Sequence, residues 1–428
     1  MHGPRYLRGV LDKRLLRDDP DQIRRAVELK GIDVDVDEVL SLDERTRDLQ
    51  TQLDRTQARR NDLSKRFAKA SDDERATLRA ESTEAGETIK DLRERLAQTS
   101  DALRDLMLLL PQMPWEGAPV GPDEDANTVV RTWGEPRRFD FTPLDHVDLI
   151  ERRGWGYFAR ARQVAGERAY TLMGDLALLE RAIHSYAIDV LVSHEFTPIT
   201  VPALVKESAL TGTGMFPKGR GETYEIAADD LFLAGTSEVG MIGLHAGEIL
   251  EKSQLPVRYA GISPCFRREI GSASRDVRGL LRVHQFEKVE QFVICEADDA
   301  QSARWHDTLL DTAESILRAL DLPYEVVECS TGDMGAGKYR MNDVNTWFPS
   351  LERYRETHSC STFHEWQARR ADIRYRDEGR IVHAHTLNNT AVATPRLLAA
   401  VIENHQQSDG SVTVPEPLRP FLGGRASL

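Results

Sequence analysis

Cysteine is scarce in the chain. There are four in 428 residues, Cys265, Cys295, Cys329 and Cys360, and no two lie close enough for a C-x-x-C pair. That spacing argues against a disulfide-built module and against a cysteine-rich zinc site, and it favours four reduced thiols. Long apolar runs are also missing: none approaches the roughly 20 residues of a membrane-spanning helix. The N-terminal stretch MHGPRYLRGVLDKRLL is basic but has neither the apolar core nor the cleavage site of a secretory signal. A cytoplasmic protein with no membrane partner is expected. Internal repeats and low-complexity tracts are absent too. Positive charge is in deficit, with a formal net charge of −14, so the surface as a whole is not a nonspecific nucleic-acid binder, although a local basic patch stays compatible with it. What remains is ordinary globular composition, 40 % hydrophobic and 29 % charged, in a chain long enough for two or three domains.

Two heptad-like runs fill the first quarter. Leu42, Leu49, Leu53, Leu63 and Phe67 form a sparse seam interrupted by Thr46, Thr56 and Arg60. Ile89, Leu92, Leu96, Leu103, Leu106 and Leu110 form a cleaner one, broken at Thr99. Such spacing marks a coiled-coil seam. The polar stretch Lys69–Glu74 between the runs predicts an antiparallel helical hairpin, each arm on the order of 40 Å long at about 1.5 Å per residue. Pro111 and Pro114 end it. Its first helix carries Arg45, Arg47, Arg55, Arg59, Arg60, Lys65, Arg66 and Lys69. These could be a solvated face of a dimerisation arm or a surface for a polyanion. Residues 113–140, rich in Pro, Gly and acid, read as a linker.

The most informative stretch is Gly261–Gln291. Strand alternation puts Arg282, His284, Phe286, Lys288 and Glu290 on one face and pairs Arg267 with Glu269 on another. The glycine-bounded loop Gly271–Gly279 joins the halves as a long hairpin connection. Folded back, one wall would hold arginines for phosphate, a phenylalanine plane for a base and carboxylates for an amine.

Within it, Phe266-Arg267-Arg268-Glu269 resembles the FRxE signature of motif 2 in class II aminoacyl-tRNA synthetases, and the continuation from Arg278 to Glu290 resembles the seryl-tRNA synthetase family in particular. Further stretches agree with that resemblance. The helical run Asp175–Ser193 followed by an extended Phe196–Ala203 with Pro202 is similar to motif 1, which builds a dimer interface. Thr236-Ser237-Glu238 is similar to the family's T-x-E loop, although Thr-Ser before Glu would equally serve as a helix cap. Glu356-Thr357-His358-Ser359-Cys360-Ser361 followed by Gln367-Ala-Arg-Arg370 resembles the E-x-S-S-C-S…QARR segment. Glu356 and Ser359 are an odd number apart, so both can face one ligand only across a bulge or strand end. Leu387–Arg396 resembles motif 3, with Asn389, Ala391 and Pro395 where glycines are common, hence a stiffer backbone. Residues 1–9 match nothing in the family's usual start.

The resemblance, which covers nearly all of residues 10 to 423, implies an α+β protein. Residues 1–112 would be an N-terminal antiparallel helical hairpin (coiled coil) domain that binds tRNA, 113–140 a linker, and 141–428 a catalytic domain with a mostly antiparallel sheet. It implies ATP-dependent activation of L-serine and transfer to tRNA(Ser), with tRNA(Sec) an open alternative, by a homodimer using Mg²⁺. Arg267 and Arg396 are the implied catalytic residues. Thr236, Ser237, Glu238, Arg267, Glu290, Asn388 and Thr390 would hold serine. Arg267, Arg268, Glu269, Arg282, Val283, Phe286, Glu356, Thr357, His358, Ser359 and Arg396 would hold ATP, with Glu356 and Ser359 as metal ligands. His358 could be a ligand, a base or a packed histidine. The competing reading is a nonaminoacylating or antibiotic-resistance paralogue that uses seryl groups elsewhere.

Overall fold

The computed structural model of the chain describes residues 13–270 and 278–428, so residues 1–12 and most of the hairpin loop, 271–277, lie outside the described residues. The chain divides into two compact units. One ends at Glu28 and resumes over Ile32–Leu110; the other comprises Leu29–Gly31 and Pro111–Leu428.

The first unit is dominated by helices α1 (Val36–Phe67) and α2 (Asp72–Met107). Asp35 starts α1 by accepting from the Asp37 and Glu38 N–H groups, and a Ser71/Glu74 capping box starts α2, so two otherwise unpaired helix ends are satisfied locally. Leu49 and Leu53 pack on Ile89 and Leu92, with Leu96 alongside. Further along α2 the seam passes through Thr99, Leu103 and Met107, where the heptad reading expected Leu106. A straight helix turns every 3.6 residues and drifts from a 3.5-residue repeat, which moves the buried position on by one. Arg45, Arg55, Arg60, Lys65, Arg66 and Lys69 are exposed. Arg47 and Arg59 are paired with Asp43 and Glu81, at 3.2 and 3.6 Å.

The second unit is built on an eight-stranded sheet: β1 (Thr128–Trp133), β2 (Thr197–Thr200), β3 (Val257–Phe266), β4 (Gln285–Cys295), β5 (Tyr324–Glu328), β6 (Arg340–Phe348), β7 (Arg353–His364) and β8 (His385–Thr394). The order is β1-β5-β6-β7-β8-β4-β3-β2, and only β2–β3 is parallel. β1 falls in the stretch read as a linker. Its run Thr-Val-Val-Arg-Thr-Trp has strand character that the surrounding Pro, Gly and acid obscure, and it pairs with β5 at the sheet edge. Helices α3 (Asp175–Ser193), α5 (Asp299–Ala319) and α6 (Arg396–His405) cover one face, while the short α4 (Glu238–Leu244) packs beside β3 and β4. Leu179, Ile183, Leu309, Ile316 and Leu397 share the core with Val289, Val293, Cys360, Leu387 and Ala391.

Polar side chains fix which way the central strands face. The Gln291 and Asn389 amides both donate to the Leu309 carbonyl of α5, at 3.0 and 2.8 Å. Alternation then sends their neighbours Glu290, Asn388 and Thr390 to the opposite face.

Candidate active site

The β3–β4 hairpin pairs Phe286 with Cys265, Lys288 with Ser263 and Glu290 with Gly261. Phe286, Lys288 and Glu290 therefore share a face, as alternation predicts. The expected strand does not extend to Arg282 and His284, nor past Phe266 to Glu269. β4 begins at Gln285. Arg267 N–H donates to the His284 carbonyl (3.0 Å), after which Arg268 N–H is taken by the Glu222 carbonyl (3.0 Å) and Glu269 adopts a left-handed φ of 53°. The chain turns because the neighbouring 218–222 segment captures the backbone donor that a longer ladder would use. Arg268 follows it, donating to the Gly221 carbonyl at 3.0 Å, and its side chain leaves the wall. Arg282 and Glu269 are nevertheless brought together, in an ion pair at 2.7 Å. Val283 beside them is buried.

A cationic wall results. The Arg267 guanidinium lies 5.3 Å from the centre of the Phe286 ring. Arg396, at the start of α6, donates to the Glu356 carbonyl (2.6 Å) and carboxylate (3.3 Å) and, through Nε, to the Leu281 carbonyl (3.1 Å). Arg282 Nε is buried and has no hydrogen-bond partner among the described residues. An N–H left so costs about 1–3 kcal/mol unless an acceptor arrives, and a phosphate oxygen is such an acceptor.

The odd spacing of Glu356 and Ser359 is resolved by a bulge. The β6–β7 register shifts between Val344 and Asn345, leaving Thr357 as the extra residue, so Glu356 and Ser359 are the more accessible members and Thr357 and His358 turn inward. Thr357 Oγ1 is 2.7 Å from Thr346 Oγ1. His358 Nδ1 lies 2.8 Å from Thr357 Oγ1, and Nε2 lies 3.1 Å from the Ala391 carbonyl, which can only accept, so Nε2 carries the hydrogen. Burial holds His358 down to about 4, hence neutral. His358 is a packed histidine, and neither it nor Thr357 presents a side chain to the wall.

Burial pushes the Glu356 carboxyl up, but the charges of Arg396 and Arg267 outweigh it and hold Glu356 below the ordinary carboxylate range. Across the strand pair from Ser359 stands Asp343, whose Oδ1 is buried and unpartnered. Burial and the Glu356 charge hold Asp343 above its ordinary range. An ionised carboxylate, a hydroxyl and a further unpartnered carboxylate oxygen make a hard donor set, which fits a small divalent cation. Two further groups gather ligand-type atoms within 4.8 Å: Cys329, Asp333 and Asp343, and Asp299, His364 and His385. In the second, the His364 and His385 rings stack with centroids 4.5 Å apart, so their in-plane lone pairs do not converge.

Further along the same strand face from Phe286 lies a cluster of buried polar side chains. Glu238 opens α4, and its N–H is accepted by Thr236 Oγ1 at 3.3 Å, while Ser237, the residue before the helix, makes no side-chain cap hydrogen bond. The Ser237 hydroxyl turns away to the Gly261 carbonyl (3.4 Å). Gln367 donates to Glu238 Oε1 at 2.6 Å and accepts from Thr386 at 2.7 Å. Glu290 stands opposite Thr390 across β4–β8, where a second bulge sits between Val289 and Glu290. Lys288 donates to Thr236 Oγ1 at 2.7 Å and ion-pairs with Glu290. Burial raises the Glu238 carboxyl to about 7, against the Gln367 hydrogen bond.

Three members were not among the sequence-derived site residues. Lys288 was visible there as a neighbour of Phe286 and Glu290 on one face, and Gln367 as part of QARR. Nothing in the sequence singles out Asp343.

An antiparallel sheet bearing FRxE, a strand-borne Glu and Ser, and a terminal Arg is the platform of the class II aminoacyl-tRNA synthetases, and residues 223–405 match the tRNA synthetase class II core domain (G, H, P, S and T). Residues 10–114 match the seryl-tRNA synthetase N-terminal domain. The serine–tRNA ligase of Deinococcus radiodurans is 48 % identical over 420 residues, 98 % of this chain and 99 % of that protein. That of Thermotoga neapolitana is 43 % identical, covering 97 % and 99 %. Among solved structures, seryl-tRNA synthetase from Pyrococcus horikoshii, complexed with ATP, superposes with a TM-score of 0.89 at 33 % identity, covering 97 % of this chain and 99 % of that one. The cytoplasmic serine–tRNA ligase from Naegleria fowleri, in complex with AMP, gives 0.85 at 31 % identity, covering 97 % and 98 %. The chain belongs to the seryl-tRNA synthetase family.

Proposed function

We propose that the chain is a serine–tRNA ligase that activates L-serine with ATP and esterifies tRNA(Ser). The observation that carries this reading is the presence together of the arginine wall around Phe286 and the buried polar cluster of Thr236, Glu238, Lys288 and Glu290. In the first step a serine carboxylate oxygen attacks the α-phosphate, and pyrophosphate leaves. Arg267 takes the charge that builds on that phosphate and Arg282 holds the outer phosphates, a role its unpartnered Nε supports. Phe286 and Arg396 offer the faces between which adenine stacks. Glu356 and Ser359 would hold Mg²⁺, which supplies charge neutralisation on the phosphates. Glu238, Glu290, Asn388 and Thr390 orient the amino acid. In the second step the terminal ribose hydroxyl of tRNA attacks the activated carbonyl and AMP leaves. No side chain is needed as a covalent nucleophile, so the rate comes from positioning and preorganised charge.

The exposed Arg and Lys of α1 suit the backbone of a tRNA recognised by shape. The exposed apolar side chains Leu178 and Val192 on α3 support a two-fold homodimer through this helix and β2. Among the described residues no helix is long and apolar enough to cross a membrane, and all four cysteines are free and buried, in keeping with a cytoplasmic enzyme. ATP–pyrophosphate exchange with each amino acid tests the reading. Serine alone should support rapid exchange, and light scattering should give twice the chain mass. Equal exchange with other amino acids would refute the serine assignment, and an active monomer would refute the dimer.

A further inference from the structure

Lys288 is a buried cation to which the two-step reaction assigns no task. It lies on β4 between Phe286 and Glu290 and is 6 % exposed. An ammonium at such depth is costly unless its hydrogens and charge are matched. Here one hydrogen goes to Thr236 Oγ1 at 2.7 Å, and the charge faces the Glu290 carboxylate, itself 2 % exposed.

The hydrogen-bond inventory of Thr236 then becomes restrictive. A hydroxyl oxygen has two lone pairs and one hydrogen. Lys288 occupies one lone pair and the Glu238 backbone N–H the other, at 2.7 and 3.3 Å. Only the hydrogen of Thr236 is left, so this hydroxyl can donate and cannot accept. A substrate α-ammonium, which has only donors, finds no acceptor in Thr236 and falls to the carboxylates. Glu290 in turn is held in place by the ammonium beside it. Its Oε2 faces the Lys288 ammonium, and a carboxylate has further lone pairs with which to accept hydrogen bonds from the substrate.

We infer that Lys288 is a positioning residue of the amino-acid pocket, which makes it selective for serine by holding Glu290 as an acceptor for the substrate hydroxyl and Thr236 as a donor to a substrate carboxyl oxygen. The inference rests on the serine–tRNA ligase reading above. Without Lys288, the buried Glu290 carboxylate loses the group that faces it and is free to reorient. The Thr236 hydroxyl is freed to turn. A pocket whose polar groups can reorient loses the means to penalise a substrate that lacks the hydroxyl.

The test uses the full-length protein and compares Lys288→Met with Lys288→Arg in serine- and alanine-dependent ATP–pyrophosphate exchange. For Lys288→Met, kcat/KM for serine should fall by ~100-fold or more, chiefly through the KM for serine, while the KM for ATP stays within ~3-fold. The serine/alanine ratio should shrink by at least ~10-fold. Lys288→Arg keeps the charge and should recover most of that ratio. If Lys288→Met does not accumulate as folded protein, Lys288→Gln should show the same loss of ratio, because it removes the charge. A folded neutral variant with an unchanged serine/alanine ratio, or one whose ATP and serine KM values worsen equally, overturns the inference alone. A wild-type protein that activates a different amino acid removes the parent reading and this inference with it.

Discussion

Replacing Glu238 by Gln should have opposite effects on stability and on serine binding. Glu238 is 5 % exposed at the start of α4. Burial, with the Glu290 charge adding to it, raises its carboxyl from 4.5 to about 7, opposed by the Gln367 hydrogen bond and the Lys288 and Lys338 charges. Because the folded pKa is raised, the folded chain holds this proton more tightly than the unfolded one. Below pH 4.5 the carboxyl is neutral in both states and costs nothing. Stability is lost as the pH rises from 4.5 through 7, and the loss is complete above that. The gap between 4.5 and about 7 is worth about 3 kcal/mol, at about 1.4 kcal/mol per tenfold change. Glu238→Gln retains an amide oxygen for Gln367 and removes the titration. Urea unfolding should therefore show the variant to be more stable than wild type by up to about 3 kcal/mol at pH 8, with the difference vanishing near pH 4.5. Serine binding runs the other way, because the α-ammonium needs an ionised Glu238. With a pKa of about 7, roughly 9 % of it is ionised at pH 6 and roughly 91 % at pH 8. The wild-type KM for serine should thus fall about tenfold between those pH values, with little change in the KM for ATP, and the variant should lose both the affinity and its pH dependence. A Glu238→Gln protein no more stable than wild type at pH 8, or a wild-type serine KM flat from pH 6 to 8, would refute the reasoning.

Arg267→Ala should slow adenylate formation by ~100-fold or more while circular dichroism stays that of the wild type, since it removes a preorganised charge aimed at the α-phosphate; normal exchange in the folded variant would dismiss that role. Deleting Ala58 to Thr88 from the helical hairpin should leave pyrophosphate exchange near normal and severely reduce tRNA charging, with the charging contribution of the arm weakening as salt rises. Full charging by the deletion protein would mean that the hairpin is not the tRNA arm. Glu290→Ala should harm serine activation strongly and narrow a serine/alanine preference of roughly 10⁴–10⁵, sparing ATP affinity; an unchanged ratio would take Glu290 out of the pocket.

Much of this was legible because the chemistry is borne on regular elements. Heptad spacing marked α1 and α2, helical periodicity marked Asp175–Ser193, and alternation placed Phe286, Lys288 and Glu290 on one face. The odd separation of Glu356 and Ser359 even implied the bulge that falls at Thr357. Legibility failed where tertiary partners override the local pattern. Arg267 and Glu269 leave strand geometry because Glu222 takes the intervening N–H, and Arg268 leaves the wall with it. β1 was hidden because an edge strand's pairing partner, β5, is about 200 residues away in sequence. Thr357 and His358 lie next to two site residues and yet face inward, since one extra residue in the strand inverts the alternation there. Asp343 joins the site only through cross-strand pairing with Ser359, which no local pattern announces.

The central claim is tested most directly by aminoacylation of a tRNA(Ser) transcript with purified protein, ATP and radiolabelled serine or alanine. The account predicts a base-labile seryl ester on the tRNA's terminal ribose, dependent on ATP and a divalent cation, with alanine transferred at least ~10⁴-fold less efficiently. Rapid serine-dependent pyrophosphate exchange with no label reaching the tRNA would contradict it and would leave a seryl-adenylate-forming protein that acts on some other acceptor.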